Sequence, residues 1–380
     1  MLTRRTSDAG ELVDPGARLD AEPTAATLRR VHIHYIAGRY EQAIAAGESA
    51  LRHSGSARQL GRIRYYTAMA YLQLGRPEQG AALLVEARKY AAAAGAPRML
   101  VECMAADAAL ALLRQDRNAV VLAHQALAAC RKLTPIHKPL EARTLMMLAS
   151  CYLVEGEWAL ALDAGTQALE RLAGSFDISR RAKVFDCMAF AYVELGRPDL
   201  AIDYGRRAIE LHAVARDTLS LARSENTLGF ALTRRGDLAE ARAHLQRSAQ
   251  LYELAGAVNG HSQMLLSLGE LSLAEGAPER ARELAARGLE LAERLHEEGN
   301  VAEAHLVLAQ AAEALSEPGV ADAELLTALE GCARRGSRGL IARCHRMYAE
   351  VLERRGQRRL ARRHLLTALK YQTDPPPLSA

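Results

Sequence analysis

The side chains most able to do chemistry in this chain are cations. From Gly331 to Tyr371 twelve Lys or Arg residues face two acids, a local balance of +10, while the remainder of the chain carries −6. Arg355, Arg358, Arg359, Arg362 and Arg363 recur at helical spacing and would share one broad face, with Leu365, Ala368 and Leu369 on another. Such a face suits an acidic partner, or it caps and solubilises the end of the chain. Nucleic acid is disfavoured as a partner, because the stretch lacks interleaved aromatics. Catalytic patterns are missing: there is no G-x-x-x-x-G-K-[ST] or G-x-G-x-x-G loop, and no G-x-S-x-G elbow. His32 and His34 are two apart and so lie on different faces of a helix, and the six cysteines include no C-x-x-C pair. We expect no enzyme, no cofactor, no metal and no disulfide.

The elements that must position these residues are helices. Ala, Leu, Arg and Glu dominate the 380 residues and aromatics make up only 4%. A turn frame recurs at Gly38, Gly75, Arg114, Gly156, Gly196, Gly236, Gly276, Ser316 and Gly356, spaced by 37, 39, 42 and then five times 40 residues. Small residues follow the turn by five positions (Ala43, Gly80, Ala201, Ala241) and by twelve (Ala50, Ala87, Ala208, Ser248), and precede it by seven (Ala68, Ala149, Gly229). Small residues seven apart on a helix let two backbones approach closely. Pro or an acid opens the second helix of many units, as in "GRPEQ" and "GRPDL". The third unit departs from the pattern, with Asp107 at the small position and Arg114 at the turn.

The segments "NTLGFALTRRGDLAEARAHLQRSA" and "MAFAYVELGRPDLAIDYGRRA" resemble the tetratricopeptide repeat superfamily. With a period near forty, the array is similar to the long-period repeat arms of MalT-like and Rap/PlcR-like bacterial regulators. The resemblance implies an all-α, right-handed α-solenoid of about nine helix-turn-helix repeats over residues 24–371. Residues 1–23 read as a disordered leader and 372–380 as a Pro-rich tail. No run of eighteen apolar residues and no signal-peptide core occurs, so a cytoplasmic location is expected.

In this superfamily the first helix of each repeat lines the concave face, at positions thirteen, ten, nine and six before the turn. Carried onto this sequence, the thirteen-before set is Arg62, Val101, Arg143, Lys183, Arg223, Gln263, Glu303 and Arg343. Tyr65, Tyr66, Met146, Asp186, Asn226, Phe190 and Phe230 fall on the other positions. The implied groove, over repeats two to six, holds Arg62, Tyr65, Tyr66, Arg143, Met146, Lys183, Asp186, Phe190, Arg223, Asn226 and Phe230. It would suit an acidic-hydrophobic peptide or helix, with cations pairing carboxylates and Asn bonding peptide backbone. The Lys and Asn pair that binds chaperone C-termini in this superfamily is absent. The reading is a protein-interaction scaffold or adaptor in bacterial regulation; the alternative is a peptide- or small-ligand-sensing regulator without its own output domain. Self-association through the basic end and the acidic middle is a further expectation.

Overall fold

The computed structural model describes residues 15–50, 55–114, 116–255 and 260–373, with side chains between 24 and 371. Among the described residues it contains eighteen helices and no strand. The first six are α1 (Pro15–Ile36), α2 (Tyr40–Ser49), α3 (Ala57–Gln73), α4 (Pro77–Ala93), α5 (Pro97–Leu113) and α6 (Ala119–Arg131). The middle six are α7 (Lys138–Val154), α8 (Trp158–Arg171), α9 (Ile178–Glu194), α10 (Pro198–Ala215), α11 (Thr218–Arg235) and α12 (Leu238–Ala255). The last six are α13 (His261–Ala274), α14 (Pro278–Arg294), α15 (Glu298–Ala314), α16 (Pro318–Arg335), α17 (Arg338–Arg354) and α18 (Arg358–Thr373). They pair in order as nine antiparallel repeats.

Proline opens α4, α10, α14 and α16 where its missing N–H costs nothing. The turn frame holds at eight of its nine places, which have positive φ; Ser316, at 62°, does so without being glycine. At Gly75 the Arg76 N–H reaches back to Tyr71 O at 2.9 Å, the closing bond of a left-handed helix stop. The third repeat is not degraded but displaced. Five residues separate α5 from α6, against three between α3 and α4, and the equivalent closing bond runs from Asp116 N–H to Ala111 O. Moving the frame of α5 by one residue puts the fully buried Ala108 at the small position and Glu102, not Val101, in the thirteen-before set.

Small residues line the helix contacts as their spacing requires. Ala43, Ala68, Ala87, Ala208, Ala241 and Ala309 are all wholly buried. A Cβ on Gly229 would come within 2.6 Å of Leu245 Cγ, so only glycine admits that approach. One boundary differs from the sequence reading. Helix α1 begins at Pro15, because "ARLDAE" is rich in helix formers, whereas the leader was expected to run to residue 23; residues 1–14 and 374–380 lie outside the described residues. No described helix is long and apolar enough to cross a membrane.

The solenoid winds back on itself after five repeats. Tyr40 and Tyr71, from repeats one and two, share one buried cluster with Leu219, Ala222 and Met264 of repeats six and seven. Farther along, the Gly156 turn of repeat four meets Gly339 of repeat nine so closely that a Cβ on Gly339 would fall on the Gly156 backbone. There Ser337 Oγ donates to Glu155 O at 2.8 Å and Arg335 Nη2 to Glu155 Oε1 at 3.2 Å. These two seams turn the concave face into a lumen.

Candidate functional site

Residues 143, 146 and 150 on α7, 183, 186 and 190 on α9, and 220, 223, 227 and 230 on α11 lie three or four apart, so each set shares one helix face. All three faces look into the lumen. Tyr65, Arg143, Met146, Lys183, Asp186, Phe190 and Arg223 wall a cavity of about 340 Å³, with Tyr35 and Thr227. Ser150, Leu153 and Phe190 also line a second cavity of about 380 Å³. The two are stretches of one passage.

The first cavity is cationic. Arg143 donates to Tyr65 Oη and its guanidinium carbon lies 5.3 Å from the Tyr65 ring centre, while Glu102 stands 3.9 Å away. Burial alone would lower the Arg143 pKa, but Tyr65 and Glu102 outweigh it and raise it, so the charge is held. Burial lowers the pKa of Lys183, whose Nζ is 3.8 Å from Asp217. Asp186 is already occupied, accepting from Ser224 Oγ at 2.5 Å and lying 2.9 Å from His212 Nε2. Arg223 bonds the Tyr252 side chain, and among the described residues no carboxylate pairs with it.

The second cavity has the opposite character. Trp158, Phe190 and Phe230 form an aromatic wall, with ring centres 5.9 Å apart for the first pair and 6.3 Å for the second. Facing them are Glu194, Glu297, Glu303 and Arg343. Arg343 comes from repeat nine, pairs with Glu303, and reaches Glu194 at 3.4 Å and Glu270 at 3.8 Å. Burial pushes the Glu270 carboxyl up to about 7, with the neighbouring Glu303 adding to it and Arg234 working against it. Burial raises Glu194 likewise. Glu297 accepts from Asn300 Nδ2 at 2.9 Å and from Ser262 Oγ, and among the described residues no cation pairs with it.

Residues 180–254 match the tetratricopeptide repeat family model. The match lies within α9 to α12, and the helices on either side pair in the same way. Residues 180–254 carry tetratricopeptide repeats, and the array as a whole is an all-α repeat solenoid. The solenoid superposes on a Rap protein complexed with competence and sporulation factor, with a TM-score of 0.68, 15% identity and coverage of 93% of this chain and 99% of that one. It is similar to the Rap conjugation gene regulator of plasmid pLS20 in complex with the Phr* peptide (TM-score 0.60, 12% identity, 90% and 95% covered). It is similar also to NprR in complex with its cognate peptide NprX (TM-score 0.57, 15% identity, 88% and 98% covered). At these identities the likeness is one of fold. No curated protein matches the sequence.

Three of the groove residues expected for a tetratricopeptide solenoid lie outside both cavities, and a fourth lies in the second. Arg62 and Tyr66 line a separate hollow with His32 at the first repeats, where Arg62 pairs with Glu102 and His32 stacks on Tyr66. Helix α3 turns these two toward α1 because repeat one lies on that side. Asn226 sits 7% exposed in α11 with its Oδ1 unbonded, on neither cavity wall. Phe230 belongs to the second cavity rather than the first. At the basic end, Arg355 is held by Glu313 and by Asp322 at 2.9 Å, so it is not a free cation. Arg358, Arg359, Arg362 and Arg363 are exposed, and so are Leu365 and Leu369, because α18 has no following helix among the described residues. Sequence reasoning placed Arg343 at a concave position but outside the groove of repeats two to six, and it missed Tyr35, Trp158, Glu194 and Glu297. The opposed signs of Glu303 and Arg343 at equivalent positions were the one available signal for the acidic end.

Proposed function

We propose that this chain is a non-catalytic regulator that holds a partner peptide in its lumen. The observation that carries the reading is the convergence of seven expected groove residues, from α3, α7, α9 and α11, on one cavity that continues into a second. Each cavity falls within the size range of small-ligand sites, and each sets charged groups among apolar and aromatic side chains. Proteins of similar fold supply precedent: a Rap protein is known with competence and sporulation factor, and NprR with its cognate peptide NprX. A ligand seated across the lumen would touch repeats on both sides of each seam, and so could shift the closed form relative to an opened one.

The test is capture of a randomised pentapeptide pool with free termini on immobilised protein, read by mass spectrometry, for the wild type and Arg223→Glu. Arg223 bonds the buried Tyr252 side chain, so the melting temperature of the variant is compared with that of the wild type and capture is read at a temperature where both are folded. Wild type should enrich a subset of peptides that the variant releases. Equal retention by both proteins would move the site out of the lumen.

A further inference from the structure

We infer, building on the peptide reading, that the lumen selects by two opposite charges: it takes a short peptide with an acidic side chain at one end and a basic side chain at the other. The acidic group lies among Arg143, Lys183 and Arg223, and the basic group lies at Glu297 beside the aromatic wall. This replaces the groove of cations and apolar side chains suited to an acidic-hydrophobic ligand.

The charges on the walls carry the argument. Around the first cavity three cations face one carboxylate; around the second, three carboxylates face one cation. Most of these are consumed internally. Asp186 is spent on Ser224 and His212, and Arg343 satisfies Glu194 and Glu303. What remains is Arg223 at one end and Glu297 at the other, neither of them in an ion pair among the described residues. Glu297 is nonetheless held in place, by Asn300 and Ser262, so its carboxylate is oriented before any ligand arrives.

Between the two charges runs a mainly apolar stretch common to both cavities, Leu153 and Phe190 with Ser150, whose hydroxyl donates to Met146 O at 3.1 Å. An extended peptide can lie across it without leaving a buried polar side chain unmet. The aromatic wall adds to the preference for a cation, since the face of a ring attracts one; the Arg234 guanidinium already sits 5.1 Å from the Phe230 ring centre. A peptide of two acids would gain at Arg223 and be repelled at Glu297. A peptide of two bases would meet the reverse. Discrimination therefore comes as much from the repelling end as from the attracting one.

The experiment uses the full chain and a pool of pentapeptides with acetylated N-termini and amidated C-termini, so that only side chains are charged. Wild type should enrich peptides that pair one Asp or Glu with one Lys or Arg. Glu297→Gln should cut the enrichment of basic residues roughly tenfold, the scale of one charge-assisted hydrogen bond, while the acidic preference persists. Arg223→Gln should do the converse, and Arg223→Lys should restore the acidic preference in part. Enrichment of single-sign peptides, or of the same peptides by all variants, would overturn the two-charge rule and leave peptide binding standing. Retention from the free-termini pool with none from the blocked pool would overturn the rule as stated for side chains. Retention from neither pool would overturn both readings.

Discussion

The two seams that close the superhelix use different chemistry. The N-terminal seam is mostly apolar, joining Tyr40 and Tyr71 to Leu219, Ala222 and Met264, with one buried side-chain hydrogen bond between Tyr40 and Asp217. The C-terminal seam is polar and close, with Gly156 against Gly339, and Arg335 and Ser337 on Glu155; behind it, Arg343 crosses the lumen to Glu194. Apolar burial is nearly indifferent to pH, whereas buried ion pairs stand or fall with the protonation of each member. The contrast locates the adjustable joint of the molecule at repeats four and nine, beside the acidic cavity.

Breaking the polar joint should be the most costly change. Arg343→Met leaves Glu194 and Glu303 short of a shared cation, while Glu270 keeps Arg234 at 3.1 Å, and removal of one member of such a buried group costs about 3–5 kcal/mol. The urea midpoint should fall accordingly, and Glu194→Gln in the same chain should recover part of the loss. A smaller effect tests the close approach. In an isolated helix Gly339→Ala would gain about 1 kcal/mol, but against the Gly156 backbone it should instead lose about 1–3 kcal/mol. A gain in thermal stability would mean that the two turns do not touch.

The smallest expected effect is a pH dependence. The Glu270 pKa is raised on folding from 4.5 to about 7, so its protonated form favours the folded state. That contribution is complete below about 4.5 and is lost as pH climbs through about 7. Wild type should therefore lose stability relative to Glu270→Gln between pH 5 and pH 8 in parallel denaturant titrations. A constant difference would place Glu270 in contact with water.

The period, the turns and the small-residue contacts were legible because each depends on neighbours within one repeat. Gly75 needs only its own helix stop, and Ala68 and Ala87 need only the paired helix. The slip at Arg114 came from a turn of five residues instead of three, so that a frame set on α6 misaligns α5 by one residue. The lumen was only partly legible. Arg143, Lys183 and Arg223 could be found from their place in each repeat, but nothing local shows that repeat nine returns to repeat four. That return depends on small rotations summed over five repeats, and it alone brings Arg343 to Glu194 and Leu340 to Trp158. The pairing of charges at opposite ends was hidden for the same reason.

The account rests on closure, since without it there is no lumen and no second cavity. Small-angle X-ray scattering of the full chain in solution tests this directly. The account predicts a profile that fits the closed superhelix, with repeat four against repeat nine. A profile that requires a longer, open solenoid, with those repeats apart, would contradict it.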